Sequence, residues 1–305
     1  MYVRSFVAFI YLILNASVCN AQEDYSWWNT IHDWDGITPW NLYMKISPSY
    51  FGPNALPVPE LRDGSIDTLI RFETAVGVHF SEGDHTYDSR LRLSIPVVKG
   101  KVVLESSVVP LEFYQMDSVT RDLRAARDRD GKGRAGGDII FTTRVVLMRG
   151  QGIKPDISFE ASFRTASGTQ LGAARYTDAP GYWFSLSTGR DFKTAGRFII
   201  RPYVTAGFYA FQTYDLRRLQ DDCLLWGSGV DLKGDLWCWS VQLTGYVGHN
   251  DNGDRPALFR SYLRRQIGSW SVQMRYQEGL HDFGYRSFHI GIIKSWKFSK
   301  IKKEG

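Results

Sequence analysis

The chain is poor in cysteine, has no long apolar run beyond its first residues, and carries none of the short signatures that announce common chemistries. Three cysteines in 305 residues exclude a disulfide scaffold. Beyond the N-terminal stretch no segment offers 18 consecutive apolar residues, which excludes helical membrane spans. HExxH, GxSxG, a P-loop and CxxC are all missing, so the simplest metallopeptidase, serine hydrolase, nucleotide and thiol-redox readings have no support. The net charge of +5 is spread along the chain and forms no nucleic-acid-binding patch. What is present is aromatic and apolar, 14% and 43% of residues, too much for disorder.

Residues 1–21 read as a cleaved export signal. Arg4 supplies the charge, Phe6 to Leu14 the apolar core, and Cys19-Asn20-Ala21 the small residues before Gln22. A lipoprotein signal would make Cys19 the acylated residue, but Val18 stands where a small residue is expected. The mature chain then keeps two thiols, Cys223 and Cys238. Reading Lys233-Gly234 as a two-residue turn sets Cys238 opposite Gly229 and Cys223 six residues farther along, roughly 20 Å away at the usual strand rise. Both thiols are therefore expected to be unpaired.

From Thr68 onward one device repeats: about ten residues alternating apolar and polar, then a turn. Ile70, Phe72, Thr74, Val76, Val78 and Phe80 share one face, and Arg71, Glu73, Ala75, Gly77 and His79 the other. Ten such segments are regular. Two more, near 101–116 and 181–190, are less so, with Pro110 marking a bulge. Connection lengths alternate as well. Short turns are expected at 99–100, 151–152, 191–196, 233–234 and 268–269, and longer polar loops at 81–86, 117–137, 167–180, 212–222, 249–256 and 278–284. An even number of strands with short turns at one end and long loops at the other is the pattern of an outer-membrane β-barrel, with both termini on the periplasmic side. The fold class is thus all-β, a single-chain transmembrane antiparallel barrel of about twelve strands.

Charge follows the same division. The apolar face carries almost none; Arg265 and Lys294 are exceptions toward periplasmic strand ends, where a lipid-facing charge costs about 0 to 1 kcal/mol. The opposite face holds nine arginines: Arg71, Arg90, Arg92, Arg144, Arg164, Arg201, Arg260, Arg264 and Arg275. Against them stand Glu73, Asp88, Glu160 and Asp231. Nine guanidinium groups would be ruinous in a dry core and are ordinary in a polar lumen. Trp183, Trp226, Trp237, Trp239, Tyr246, Trp270, Tyr276 and Trp296 are candidates for the interfacial girdles.

Residues 22–67 lie outside the strand pattern. They are acidic, with Glu23, Asp24, Asp33, Asp35, Glu60, Asp63 and Asp67 against Lys45 and Arg62, and rich in Trp and Pro. Opposite charge to the strand interior suggests a segment packed at or into the periplasmic mouth, with Asp33, Trp34, Asp35 and Trp40 as plug contacts; a free periplasmic tail is the competing reading. The six histidines show no metal-ligand spacing. His79 and His289 both face inward on different strands, where a hydrogen-bonded histidine is the stronger expectation than a ligand pair. No cofactor, metal or catalytic group is assigned. In residues 119–137 a run of Arg and Lys interleaved with Asp reads first as a solvated loop with local ion pairs and second as a contact for lipopolysaccharide phosphates.

The final Lys294-Ser295-Trp296-Lys297-Phe298 resembles the last strand of Gram-negative outer-membrane barrels, the element read by the barrel assembly machinery, although Ser299 to Gly305 follow it. The runs Ser47-Pro48-Ser49-Tyr50-Phe51-Gly52-Pro53-Asn54-Ala55-Leu56-Pro57 and Ala174-Arg175-Tyr176-Thr177-Asp178-Ala179-Pro180-Gly181-Tyr182-Trp183 are similar to an uncharacterised barrel family of Bacteroidota-type outer membranes. The organisation expected is a signal peptide over 1–21, the acidic segment over 22–67, the barrel over 68–298 and a periplasmic tail over 299–305. The location expected is the outer membrane, reached by Sec-type export. Partners are outer-membrane lipid including lipopolysaccharide, the assembly machinery and another outer-membrane protein, with no nucleic acid. Three functions fit: a structural or complex-associated barrel with its lumen closed by carboxylates and the N-terminal segment, a narrow anion-favouring channel or transporter, and a membrane-embedded lipid hydrolase.

Overall fold

The computed structural model describes residues 24–194, 196 and 198–297. The signal segment 1–21, Phe298 and the tail 299–305 lie outside the described residues. Residues 24–37 form a small unit of their own around helix α1, Ser26–Ile31. Within it the Asp24 carboxylate accepts from the Ser26 N–H at 2.9 Å.

Twelve long strands alternate their side chains in and out as the period-2 pattern requires. They are β1 (Ile70–Ser81), β2 (Asp84–Val98), β3 (Val102–Met116), β4 (Ile140–Met148), β5 (Asp156–Arg164), β6 (Gly181–Gly189), β7 (Ile199–Gln212), β8 (Gln220–Lys233), β9 (Trp237–Val247), β10 (Ala257–Ile267), β11 (Trp270–His281) and β12 (Arg286–Trp296). Each pairs antiparallel with the next, and β1 pairs with β12 from Ile70↔Trp296 to Phe80↔Arg286, which closes the barrel. Closure removes every sheet edge, the condition for a sheet to cross lipid. Two short accessory strands, Lys132–Ala135 and Phe192–Lys193, add to β3 and β7.

The outer face is apolar and exposed at mid-height: Val76, Phe113, Phe163, Phe184, Leu243, Phe288 and Ile290 all point away from the barrel. So large a continuous apolar belt marks a lipid-facing surface. Trp237, Trp239, Trp270 and Trp296 form the periplasmic girdle. Arg265 lies over the Trp237 ring at 5.1 Å, and Lys294 over Trp270 at 4.3 Å, so both exceptional charges end against interfacial aromatics. Trp183 and Tyr246 do not join a girdle. Both turn inward and are buried, with Trp183, Tyr209, Phe211 and Tyr246 in edge and tilted contacts at 5.2 to 5.6 Å. Part of the lumen is therefore packed with aromatic side chains.

Two local departures from the expected pattern stand out, and the irregularity expected at Pro110 is present. The β1–β2 connection is a tight turn at residues 82–83 instead of a longer loop; Gly83 has φ +69, and residue 117 of the next loop bonds back to its carbonyl at 2.8 Å. The β8–β9 turn spans 234–236, which sets Cys238 opposite Lys233, not Gly229; the two thiols are free all the same. In β3 the register shifts between Ser89↔Leu111 and Leu91↔Val108, a bulge at Pro110 that turns both Glu105 and Glu112 inward.

Candidate functional site

The lumen is filled by the chain's own N-terminal segment. Residues 47–66, here called the strap, run from the external loops down the barrel axis and continue at the periplasmic end into β1. At the top the Ser47 hydroxyl donates to the Asn252 carbonyl at 3.0 Å and the Ser49 hydroxyl to the Gly253 carbonyl at 3.2 Å. The Gly52 N–H donates to the Ala174 carbonyl at 2.9 Å, and a Cβ at residue 52 would stand 2.7 Å from the Arg175 guanidinium. The two sequence runs that carry the family resemblance thus touch each other, and a side chain at 52 would push against the Arg175 guanidinium. Lower down the Asn54 amide donates to Asp88 at 2.9 Å and to Glu112 at 2.8 Å.

Charges meet next. Arg260 donates to the Val58 and Pro59 carbonyls at 2.8 and 3.0 Å. The Glu60 carboxylate lies 2.8 Å from Arg92, 3.1 Å from Arg275 and 3.8 Å from Arg90. Arg62 reaches Glu160 at 2.6 Å and Glu105 at 2.9 Å. Asp63 meets Arg201 at 3.0 Å and Lys233 at 3.2 Å. Phe51, Ala55, Leu56 and Val58 are buried between these polar anchors. Two wall glycines make room: a Cβ on Gly189 would stand 2.3 Å from the Asp63 carbonyl, and one on Gly227 2.3 Å from Leu61.

The remaining inward residues are partnered in the wall or its loops. Arg71 pairs with Asp67 at 2.6 Å, Arg144 with Glu105 at 3.7 Å and Arg164 with Asp138 at 2.7 Å. Glu73 lies 3.9 Å from Arg92, and Asp231 accepts from the Tyr203 hydroxyl at 3.0 Å. Arg264 lines a periplasmic vestibule of about 550 Å³ with Arg71 and Arg144. Of the residues expected as plug contacts, Trp40 lies under the Arg127 guanidinium at 5.4 Å, while Asp33, Trp34 and Asp35 belong to the separate unit of residues 24–37. Asn54, Glu60, Arg62 and Asp63 make the lumen contacts, and the wall acids Glu105 and Glu112 answer them.

A buried network links the strand ends and loops at the external mouth. Asp84 of β2 accepts from Arg124, Arg175 and the Tyr285 hydroxyl, each at 2.6 Å. Arg175 also holds Glu112 at 2.8 Å, and the Tyr176 hydroxyl donates to the same carboxylate at 3.0 Å. Arg124 of the basic loop therefore points inward. Arg129, Lys132 and Arg134 of that loop stay exposed.

Burial alone would raise the two strap carboxyls, and their cationic partners reverse it. Glu60 is held well below the usual carboxylate range by Arg92 and Arg275. Asp63 is held at about 2 by Lys233 and Arg201. A depressed folded-state pKa gives stability that is complete above the unfolded value, about 4 for a carboxylate, and lost as pH falls toward the folded one. Strap docking is thus expected to be unchanged from pH 7 to pH 5 and to fail only on acidification from about 4 toward 2. Planar-bilayer current recorded through a pH series checks this; openings already present at pH 5 contradict it.

At the β1–β12 seam, His79 bridges two groups: Nδ1 stands 2.8 Å from the Ser287 hydroxyl and Nε2 3.1 Å from Asp88. His289 lies beside it, ring centroids 5.0 Å apart. The histidines sit on strands that are far apart in sequence and become neighbours only on closure.

No family model matches the chain, and no curated protein matches it. Among solved structures it is similar to an outer membrane channel from Pseudomonas putida F1, with a TM-score of 0.53 at 11% identity over 80% of this chain and 97% of that one. It is also similar to the KdgM porin (TM-score 0.47, 11% identity, 73% and 99% covered) and to LpxR from Salmonella typhimurium (0.48, 8%, 74% and 100%). The closed twelve-strand topology, the apolar belt and the likeness of fold to the Pseudomonas putida channel together make the chain an outer-membrane-type β-barrel.

Proposed function

We propose that this protein is a closed outer-membrane barrel, a structural or complex-associated component and not a conduit. The observation that carries the reading is the strap: a segment of the chain's own sequence occupies the axis, and Glu60, Arg62 and Asp63 bind wall residues of opposite charge. The Asp84–Arg124–Arg175–Tyr285 network over the external mouth supports the same conclusion. The exposed Arg129, Lys132 and Arg134 are suited to lipopolysaccharide phosphates, and a second outer-membrane protein is the partner such a sealed barrel would serve. Contact between the strap run at Gly52 and the loop run at Arg175 is consistent with kinship to the Bacteroidota-type family those runs resemble.

The channel reading has one observation in its favour, the arginine-rich vestibule of about 550 Å³ at the periplasmic end, which stops at the strap. The hydrolase reading has another, the Ser287–His79–Asp88 chain of hydrogen bonds, whose serine is fully buried on the lumen side and away from lipid. Reconstitution of the full chain in a planar bilayer decides between closed and open: no resolvable steps are expected, and steady anion current in the unmodified protein rejects the closed barrel.

A further inference from the structure

The three groups at the seam, two of which also belong to the buried Ser287–His79–Asp88 chain, form a cluster that the closed-barrel reading does not use. His79, Asp88 and His289 offer ligand atoms that all lie within 4.8 Å of one another, and each residue is at least nine-tenths buried. Two features separate this cluster from a satisfied core histidine. Both ring nitrogens of His289 and Oδ1 of Asp88 have no hydrogen-bond partner, although buried polar atoms almost always find one. The wall is also cut away between them: Gly77 of β1 pairs with Asp88 on one side and His289 on the other, and a Cβ there would stand 2.4 Å from each. A side chain at 77 would part the two groups.

The spacing suits a shared cation. Donor atoms on one zinc ion, each at its usual ~2.0–2.2 Å, stand roughly 3.3–3.6 Å apart. Here His79 Nε2 is 3.1 Å from Asp88 Oδ2 and His289 Nε2 is 4.0 Å from Asp88 Oδ1, each within about half an ångström of that distance, and the widest separation in the set, up to 4.8 Å, closes by about 1 Å when the rings turn onto one ion. His79 already has the outer support of a metal-bound imidazole, since its other nitrogen meets Ser287 at 2.8 Å. A small interior cavity of about 100 Å³, lined by His79, His289 and Asn54, leaves room for a water or ligand oxygen at a fourth position. Arg90 and Arg275 line it too and act against a cation, while Glu60 and Glu112 nearby act for one.

We propose that His79, Asp88 and His289 form a binding site for a divalent transition metal of the zinc class, pinning strands β1, β2 and β12 at the closure seam. Two neutral imidazoles and one carboxylate are the donor set zinc and cobalt prefer over calcium or magnesium.

The test uses the full chain in detergent micelles, stripped with chelator and titrated with Co²⁺ and then Zn²⁺. One equivalent of cobalt with the visible bands of four-coordination, displaced by zinc, is expected. His289→Ala should weaken binding by more than about 100-fold, and Ser287→Ala, which removes only outer support, by about 10- to 100-fold. His281→Ala, on the exposed end of β11, should leave binding unchanged. Absence of stoichiometric cobalt or zinc, or undiminished binding in both His289→Ala and Asp88→Asn, overturns the proposal. If these variants do not fold, X-ray absorption of the cobalt-loaded wild type decides: two imidazoles support the site, and one or none overturns it.

Discussion

A barrel lacking residues 38–66 is expected to conduct, and to prefer anions, where the full chain is silent. The deletion removes Glu60 and Asp63, and with them one carboxylate partner each of Arg92, Arg275 and Arg201; it also removes the carbonyls that Arg260 holds. Of the strap's lumen charges it takes two carboxylates, Glu60 and Asp63, and one guanidinium, Arg62. A wall of nine inward arginines interspersed with Glu73, Asp88, Glu105, Glu112, Glu160 and Asp231 is thus left more positive around a newly hydrated axis, and a positive local potential concentrates anions. Reversal potential in a salt gradient reports the sign, and heat-modifiable electrophoretic mobility reports that the truncated barrel has closed. A folded deletion variant that stays silent would place the seal in the external loops and the Trp183–Tyr209–Phe211–Tyr246 cluster, not in the strap.

The second large effect belongs to Glu60 alone. One carboxylate faces Arg92, Arg275 and Arg90, so its removal leaves three guanidinium groups close together in a largely water-excluded lumen. Breaking a buried pair by deleting one partner costs about 3–5 kcal/mol. Glu60→Ala should lose that much in urea unfolding from micelles. Glu73→Ala, whose single contact is 3.9 Å long, should lose less than about 1 kcal/mol. Equal losses in the two variants would mean that the strap's anchor is no stronger than an ordinary wall pair.

The barrel was legible because its signals are local: a period of two, and charge confined to one face. The inward direction of Arg71 or Arg164 follows from the neighbours within a few residues. Glu105 and Glu112 were not legible as a pair, since an odd separation puts them on opposite faces of an unbroken strand, and only the bulge at Pro110 returns both to the lumen. The strap was legible as a composition and not as a path. Its acidity pointed to the arginine wall, but nothing in residues 47–66 says that Ser47 lies near the external loops and Asp63 near the periplasm. That is decided by Gly189 and Gly227, whose missing side chains lie more than a hundred residues away. His79 and His289 were separated in the sequence by almost the whole barrel, so their meeting depends on closure, which no local pattern encodes.

The threaded axis also constrains how the molecule can be made. Residues 47–66 precede the first strand, and the last strand pairs directly with it. A segment enclosed on all sides with anchors at both ends has no easy way in once that final pairing is complete. A sheet that curled around a peptide already lying along its inner surface would avoid that threading, and the strap would then act as a mandrel on which the wall closes.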